Sequence, residues 1–338
     1  MKEIITDLNK AFVRREELIK NLLNEQTNIF RIFHGTNEGH PGLTIDKYGE
    51  QILIQTFYET LSQEKLDLIN DFLNNSGLEF THVVYNDRSV KLNSKQKKQL
   101  LRSATEIELE EHIATELGVN YTIIGKHRGI DPLLFIDMRA GRRWIMENSK
   151  DKELLNLFAY TSGVGVAASV AGAKYVENVD FARSSLDFGV RNAEINDLDP
   201  NKITFIHEDV IPVLRQYAGL KVSGRGAKRH KYLKLEPKQF DIVYLDPPRW
   251  AKTPFGAIDI LRDYQALLKP AILSTSDGGM VFCTNHLPQV ELTDWINIVK
   301  RCANKIGRDI KSIDVIKPEE DFPSPDGNHP LKMLVLQF

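Results

Sequence analysis

Residues 240–250 read FDIVYLDPPRW. A run of apolar, β-branched and aromatic residues stops abruptly at an aspartate and two prolines. Proline lacks an N–H and cannot extend a ladder, so the strand ends near Asp246 and the chain beyond it is stiff. Outward from this stretch lie similar short apolar runs: LLNLF (154–158), YVENVD (175–180), ITFIHED (203–209) and GGMVFCTN (278–285). Helical stretches separate them. Strands alternating with helices imply a mostly parallel sheet with both faces covered, a doubly wound α/β domain.

Ligands of such sheets bind beyond the carboxyl ends of the strands, at the point where strand order reverses. The first strand runs into AYTSGVGVAASVAGA (159–173), a glycine-containing turn that opens a helix. Gly163 and Gly165 suit close backbone approach, and Ala167, Ala168 and Ala171 suit close helix packing. Asp180 ends the next strand, where a carboxylate can accept from two ribose hydroxyls. Asp209 follows the third, where it can meet an adenine amino group. GVGVAA also satisfies the dinucleotide form G-x-G-x-x-A, so a nicotinamide-dependent dehydrogenase is a rival on this turn alone. The Asp-Pro-Pro segment separates the two readings. Asp246, Pro247 and Pro248 are rigidly held at the catalytic edge and suited to gripping the polar edge of a flat base beside a methyl donor. Hydride transfer has no comparable use for them.

Upstream, residues 10–25 have apolar positions at helical spacing. NIFRIFHGTNEGHPGL gives a strand and a turn, LTIDKYGEQILIQTF a hairpin, LSQEKLDLINDFLNN a helix capped by Ser62, and THVVYND a strand. Residues 118–137 read as paired strands. The expected organisation is a helical segment over 1–28, a small α/β domain over 29–112 and a Rossmann-like catalytic domain over 113–338.

The 338 residues carry a net charge of −2 and are 42% hydrophobic, ordinary for a protein with a sizeable core. No signal peptide or membrane span is visible, so the expectation is a cytoplasmic protein with no membrane partner. Cys283 and Cys302 are the only cysteines, too few for a disulfide framework or a zinc cluster, and no metal is expected. Two local runs are basic: Arg88, Lys91, Lys95, Lys97, Lys98 and Arg102, and then Lys221, Arg225, Lys228, Arg229, Lys231 and Lys234. The second falls in 219–238, which reads as an exposed loop. Such runs are commonly solvated surface, yet an enzyme working on a phosphate backbone needs them.

LLNLFAYTSG (154–163), VENVDFARSS (176–185) and DIVYLDPPRW (241–250) resemble motifs of the large-subunit ribosomal RNA cytosine-5 methyltransferase family. FIDMRAGRR (135–143) resembles the segment before that family's first sheet strand, and FRIFHGTNEGHPGLTIDKYGEQILIQ (30–55) its middle domain. The resemblance implies a class I methyltransferase fold, S-adenosylmethionine as cofactor and RNA, ribosomal RNA in particular, as partner. It places Asn156, Phe158, Tyr160, Thr161 and Gly163 in the first cofactor-binding motif, with Asp180 as the ribose-side acid and Asp209 as the adenine-side acid. Phe135, Asp137 and Arg139 match the upstream cofactor segment, and Asp246-Pro247-Pro248 the base-facing one. Ser162 stands where glycine is usual and Met138 where glutamine is usual. The family's N-terminal RNA-binding domain has no counterpart, a short helical segment standing in its place.

Methylation of cytosine C5 requires a thiolate to add to C6 before methyl transfer, and a base to remove the C5 proton afterwards. Cys283 is the only cysteine near Asp246 in this scheme and the candidate nucleophile. It falls about three residues before the family's position, which His286 occupies. FCTNH (282–286) is also similar to the F-S-N-N segment of guanine-N7 ribosomal RNA methyltransferases, which need no nucleophilic cysteine. Cytosine C5 and another base position therefore both stand at this point. Trp250 can stack on an extruded base or pack inside, and Arg249 can meet phosphate or base.

Overall fold

The computed structural model describes residues 2–90, 94–127, 131–223 and 225–338. Two compact units emerge: Met1–Arg139 with Glu319–Asn328, and Ala140–Pro318 with His329–Phe338. The second unit thus lends ten residues of its own sequence span to the first.

In the first unit, α1 (Lys2–Asn24) precedes β1 (Ile29–His34), β2 (Leu43–Tyr48), β3 (Gln51–Thr56), α2 (Gln63–Asn74) and β4 (His82–Asp87). The strands form one sheet in the order β1-β2-β3-β4, with β4 parallel to β3. Ser62 caps α2 by accepting from the Lys65 amide, as its sequence position predicts. The helix α1 is no separate segment, because Ile4, Leu8, Ala11, Ile19 and Leu22 are buried in one core with Phe30, Ile32, Ile45 and Ile69. After α3 (Ser94–Arg102) and α4 (Glu106–Leu109) comes a hairpin of β5 (Glu111–Glu116) and β6 (Val119–Ile124). The paired strands expected within 118–137 are therefore 111–116 with 119–124. Residues 131–137 form no strand, and a 3-10 turn spans Ile136–Met138. The hairpin belongs to the first unit rather than to the catalytic one, since its backbone is bonded there. The Asn28 amide donates to the Thr115 carbonyl at 2.8 Å, and the Thr115 amide donates back to Asn28 Oδ1 at 2.8 Å.

The excursion Glu319–Asn328 is held by buried arginines of the same unit. Arg139 donates to Glu319 (2.5 Å), Asp321 (2.6 Å) and the Ile29 carbonyl (2.9 Å). Arg15 binds Glu38 and donates to the Asp321 carbonyl at 3.1 Å, while the Arg31 guanidinium lies 4.6 Å from the Phe322 ring centroid. Each of these guanidiniums would be costly inside the unit without its acid or carbonyl partners.

The second unit begins with α5 (Arg139–Asn148) and continues with β7 (Glu153–Leu157), α6 (Gly163–Val170), β8 (Tyr175–Asp180), α7 (Arg183–Glu194), β9 (Ile203–His207), α8 (Val210–Tyr217), α9 (Arg225–Arg229) and β10 (Phe240–Leu245). A small hairpin follows, β11 (Trp250–Thr253) with β12 (Gly256–Asp259). Then come α10 (Gln265–Leu273), β13 (Thr275–Asn285), α11 (Leu292–Lys305), β14 (Ser312–Ile316) and β15 (Lys332–Gln337). The main sheet has the order β14-β15-β13-β10-β7-β8-β9. Strands β13, β10, β7, β8 and β9 are parallel, and β15 and β14 close one edge as an antiparallel pair. This is the doubly wound, Rossmann-like architecture that the alternating runs predict. The chain leaves β7 toward β8 on one side and returns to β10 on the other, so strand order reverses between β7 and β10. No described helix is long and apolar enough to cross a membrane.

Candidate active site

All five parallel strands end on the same edge, and the second unit's candidate residues gather there or just beneath. After β7 the backbone is unusual. Phe158, Tyr160 and Ser162 have φ of +58°, +52° and +60°, so alternate non-glycine residues are left-handed. Each such residue costs on the order of 1 kcal/mol, and such strain persists where surrounding structure over-determines it. Alternation of this kind curls successive N–H groups toward a common centre, a concavity suited to a carboxylate. No sequence pattern announces it, because none of the three is glycine.

Asp180 fixes this loop from β8. Its Oδ2 accepts from the Tyr160 amide at 2.9 Å and its Oδ1 from the Ala182 amide at 2.8 Å. Burial pushes its carboxyl above the ordinary carboxylate value, and the two amides oppose that shift. Asp209 caps α8 through Oδ1, which accepts from the Ile211 amide at 2.9 Å. Its Oδ2 is buried with no hydrogen bond of normal geometry among the described residues. Burial raises this carboxyl too, and the nearby Thr253 hydroxyl, which donates to the Gly256 carbonyl, opposes the rise. An orphaned acceptor is costly unless something donates to it. His207, just before Asp209, pairs with Asp180 across β8 and β9, so the two acids share one stretch of rim. Phe181, exposed beside Asp180, offers a ring face that sequence reading passed over.

Other expected residues sit deeper. Asn156 is buried in β7 and donates to Asn178 Oδ1 at 2.9 Å. Gly165 lies against that same Asn178, and a Cβ there would come within 2.0 Å of its Oδ1. Gly165 thus serves close packing of α6 on β8 rather than approach of backbone to a ligand, and Asn156 supports the rim from beneath. Thr161 is buried, its carbonyl accepting from Asn192 at 3.1 Å, and Gly163 opens α6. Phe135, Asp137 and Arg139 fall in the first unit. Phe135 is exposed, Asp137 lies in the 3-10 turn, and the Arg139 guanidinium is committed to Glu319, Asp321 and Ile29.

Ser162 is fully buried, left-handed, and its hydroxyl finds no partner among the described residues. Replacing it with the glycine usual at this position removes both penalties and leaves a small void against Gly189. Ser162→Gly is expected to raise stability by about 1 kcal/mol after the entropic cost of glycine, a few degrees in Tm. Thermal unfolding of both proteins checks this, and an unchanged or lower Tm refutes it.

Across the switch point, Asp246 follows β10. The Thr284 hydroxyl at the end of β13 donates to its Oδ1, and the Tyr264 hydroxyl donates to the Thr284 carbonyl at 2.9 Å. Burial raises the Asp246 carboxyl, and the charges of His286 and Arg142 oppose that rise. Thr284 and Arg142 lie far from Asp246 in sequence, so no local pattern flags them. Pro247 is buried and Pro248 half-buried, and the chain then enters the hairpin β11–β12. Trp250 is 61% exposed on that hairpin, which disposes of the packing role. The sequence reading passed over the hairpin, whose available signal is the T-P-F-G turn at 253–256.

The expectation of a nucleophile at Cys283 requires correction. Its side chain is wholly buried in the core that includes Leu245, Tyr264, Trp295 and Leu334. Burial pushes its thiol up to about 12, so the thiolate needed for attack is absent at neutral pH. In β13 the neighbouring Phe282 stacks on Tyr244 with ring centroids 4.7 Å apart.

A parallel sheet with a curled loop after its first strand, carboxylates after the second and third, and a clamped Asp-Pro-Pro after the fourth defines a methyltransferase site. The chain belongs to the S-adenosylmethionine-dependent methyltransferase family, whose model matches residues 30–337. It is similar to ribosomal RNA large subunit methyltransferase I of Aeromonas hydrophila subsp. hydrophila, with 28% identity over 99% of this chain and 82% of that protein. The protein of the same name from Shigella flexneri is 26% identical over 87% of this chain and 70% of its own length. Among solved structures, an S-adenosylmethionine-dependent methyltransferase from Streptococcus mutans superposes with a TM-score of 0.75 at 21% identity, covering 99% and 81% of the two chains. The M. jannaschii tRNA m1G37 methyltransferase reaches 0.53 at 14% identity, covering 88% and 76%. At these identities the solved structures establish the shared fold.

The protein is therefore an S-adenosylmethionine-dependent methyltransferase. The rim fits that cofactor: the orphaned Asp209 Oδ2 matches an amino group, Asp180 a vicinal diol, and the curled loop a carboxylate.

Proposed function

We propose that the enzyme methylates a base of large-subunit ribosomal RNA, and that the acceptor atom is a base nitrogen rather than cytosine C5. Similarity to the large-subunit ribosomal RNA methyltransferases over nearly the whole chain supports the RNA class. The state of the cysteines carries the choice of atom. The chain has two, both buried, with thiols raised by burial to about 12 for Cys283 and about 11 for Cys302. At pH 7 a thiol raised this far stays protonated. Burial and protonation of both cysteines count against the thiolate addition to C6 of cytosine that C5 methylation requires.

Bound S-adenosylmethionine supplies an electrophilic methyl group on a sulfonium. A base nitrogen with its own lone pair takes that methyl directly, so the protein's work is alignment and exclusion of water. Asp180 and Asp209 hold the ribose and adenine ends, and the loop at 158–162 the amino-acid end. Asp246, fixed by Thr284, accepts from an N–H on the edge of the target base. Trp250 offers a stacking face to a base drawn out of its helix.

Cys283→Ala is expected to keep methyl transfer within about threefold of wild type and to cost about 1 kcal/mol of stability from the small cavity. The test is methylation of unmodified large-subunit ribosomal RNA, followed by digestion and mass spectrometry of the nucleosides. A nitrogen-methylated base formed by both proteins is the expected result. Formation of 5-methylcytidine by wild type, lost in the variant, overturns the proposal.

A further inference from the structure

The basic stretch 219–238 carries seven lysines and arginines against one acid, in a chain whose net charge is −2. Its charge is thus concentrated, and the structure holds much of it still. At its start, Arg215 donates to the Lys221 carbonyl at 2.9 Å. At its end, the Leu233 amide donates to Glu208 at 2.9 Å and the Leu235 amide to Gln216 at 3.1 Å. In the middle it packs on the hairpin that follows Asp-Pro-Pro. The Phe255 ring at the hairpin tip meets His230 and Tyr232 at 6.2 and 5.5 Å between centroids. Gly226 sits so close that a Cβ would come within 2.3 Å of the Pro254 carbonyl oxygen.

We infer that residues 228–234 and the hairpin 250–259 form one docking surface for the phosphate backbone of the RNA substrate. This rests on the proposed RNA reading. Lys228, Arg229, Lys231 and Lys234 are all exposed, and none of them forms an ion pair among the described residues. Lys234 lies over the Tyr232 ring, its Nζ 3.7 Å from the centroid. Cations without an acid partner on an anchored segment lose little entropy when they meet a ligand, unlike those of a floating tail. The segment is tied to Glu208, next to Asp209, and to the hairpin that starts at Trp250. A strand bound across it therefore lies beside the rim. Arg249 and Lys252, both with no ion pair among the described residues, extend the same positive charge along the hairpin. Phosphates are the fitting partner, because their even spacing suits a row of separate cations and each contact releases condensed counterions.

The test compares two triple variants of equal charge change. One is Lys228→Gln, Arg229→Gln and Lys231→Gln; the other is Lys300→Gln, Arg301→Gln and Lys305→Gln on α11. Binding to a large-subunit ribosomal RNA transcript is measured against salt concentration, with S-adenosylmethionine binding and Tm as controls. The first variant is expected to bind RNA at least about tenfold more weakly near 0.15 M salt. Its slope of log K against log salt should shrink by about 2, with cofactor binding and Tm unchanged. The α11 variant should match wild type. Equal losses in both variants, or none in the first, overturn the docking surface and leave the RNA reading intact. Displacement of RNA by poly-glutamate at equal charge concentration would reassign the surface to an acidic protein and overturn it. No RNA binding by wild type removes both the surface and the RNA reading.

Discussion

Asp180→Ala is expected to weaken binding of S-adenosylmethionine at least about a hundredfold in calorimetry. Two charge-assisted hydrogen bonds to ribose hydroxyls are lost, together about 3 kcal/mol or more, and 1.4 kcal/mol is a factor of ten. The substitution also strands the Tyr160 amide that Asp180 holds, loosening a loop with three left-handed residues. The carboxyl is raised above its ordinary value of 3.8, chiefly by burial. The fold therefore binds this proton more tightly than the unfolded chain does. Stability contributed by this group to the cofactor-free protein is present below 3.8 and is lost as pH rises through the raised value. Cofactor affinity runs the other way, because the ionised form is the better acceptor. Affinity should decline as pH is lowered through the raised value in wild type and stay flat in Asp180→Asn. An Asp180→Ala protein that binds within threefold of wild type would remove Asp180 from the site.

Asp246→Ala is expected to lower kcat for RNA methylation by at least about a hundredfold while leaving cofactor affinity within threefold. Oδ1 is held by Thr284, which is itself tied to Tyr264, so the carboxylate has little freedom to adjust. A base that loses such a partner loses a hydrogen bond to a charged group, about 1.5–3 kcal/mol, and its alignment with the methyl. Single-turnover rates at saturating RNA separate this from weakened RNA binding. A rate within threefold of wild type would show that the prolines alone shape this wall.

Most of the catalytic sheet was legible in sequence because each parallel strand is a short apolar run ending in a polar residue. Asp180 and Asp209 could be placed from that pattern alone, since a side chain at the end of a parallel strand has one edge to occupy. What escaped reading depends on residues distant in the chain. The left-handed loop at 158–162 is held at the Tyr160 amide by Asp180 from the next strand, and the Asp246 clamp comes from Thr284 on β13, the neighbouring strand in the sheet but far along the chain. Cys283 misled because register, not composition, decides which face a side chain takes. The boundary expected at 112/113 was misjudged for a related reason: hairpin β5–β6 has ordinary strand chemistry, and only its bonds to Asn28 and Tyr48 assign it to the smaller unit.

The excursion Glu319–Asn328 has a consequence for how the molecule is made. Arg139 and Arg15 are buried in the first unit, yet acid and carbonyl partners for them lie at 319 and 321. During synthesis from the N-terminus, the ribosome must produce nearly the whole catalytic sheet before those partners exist. The unit translated first is the unit completed last: Arg15 already has Glu38, but until residues 319–321 are made the Arg139 guanidinium lacks its acids and must remain hydrated. A gene fragment ending after residue 139 encodes an unfinished body, and the two units cannot be exchanged between relatives by a single crossover.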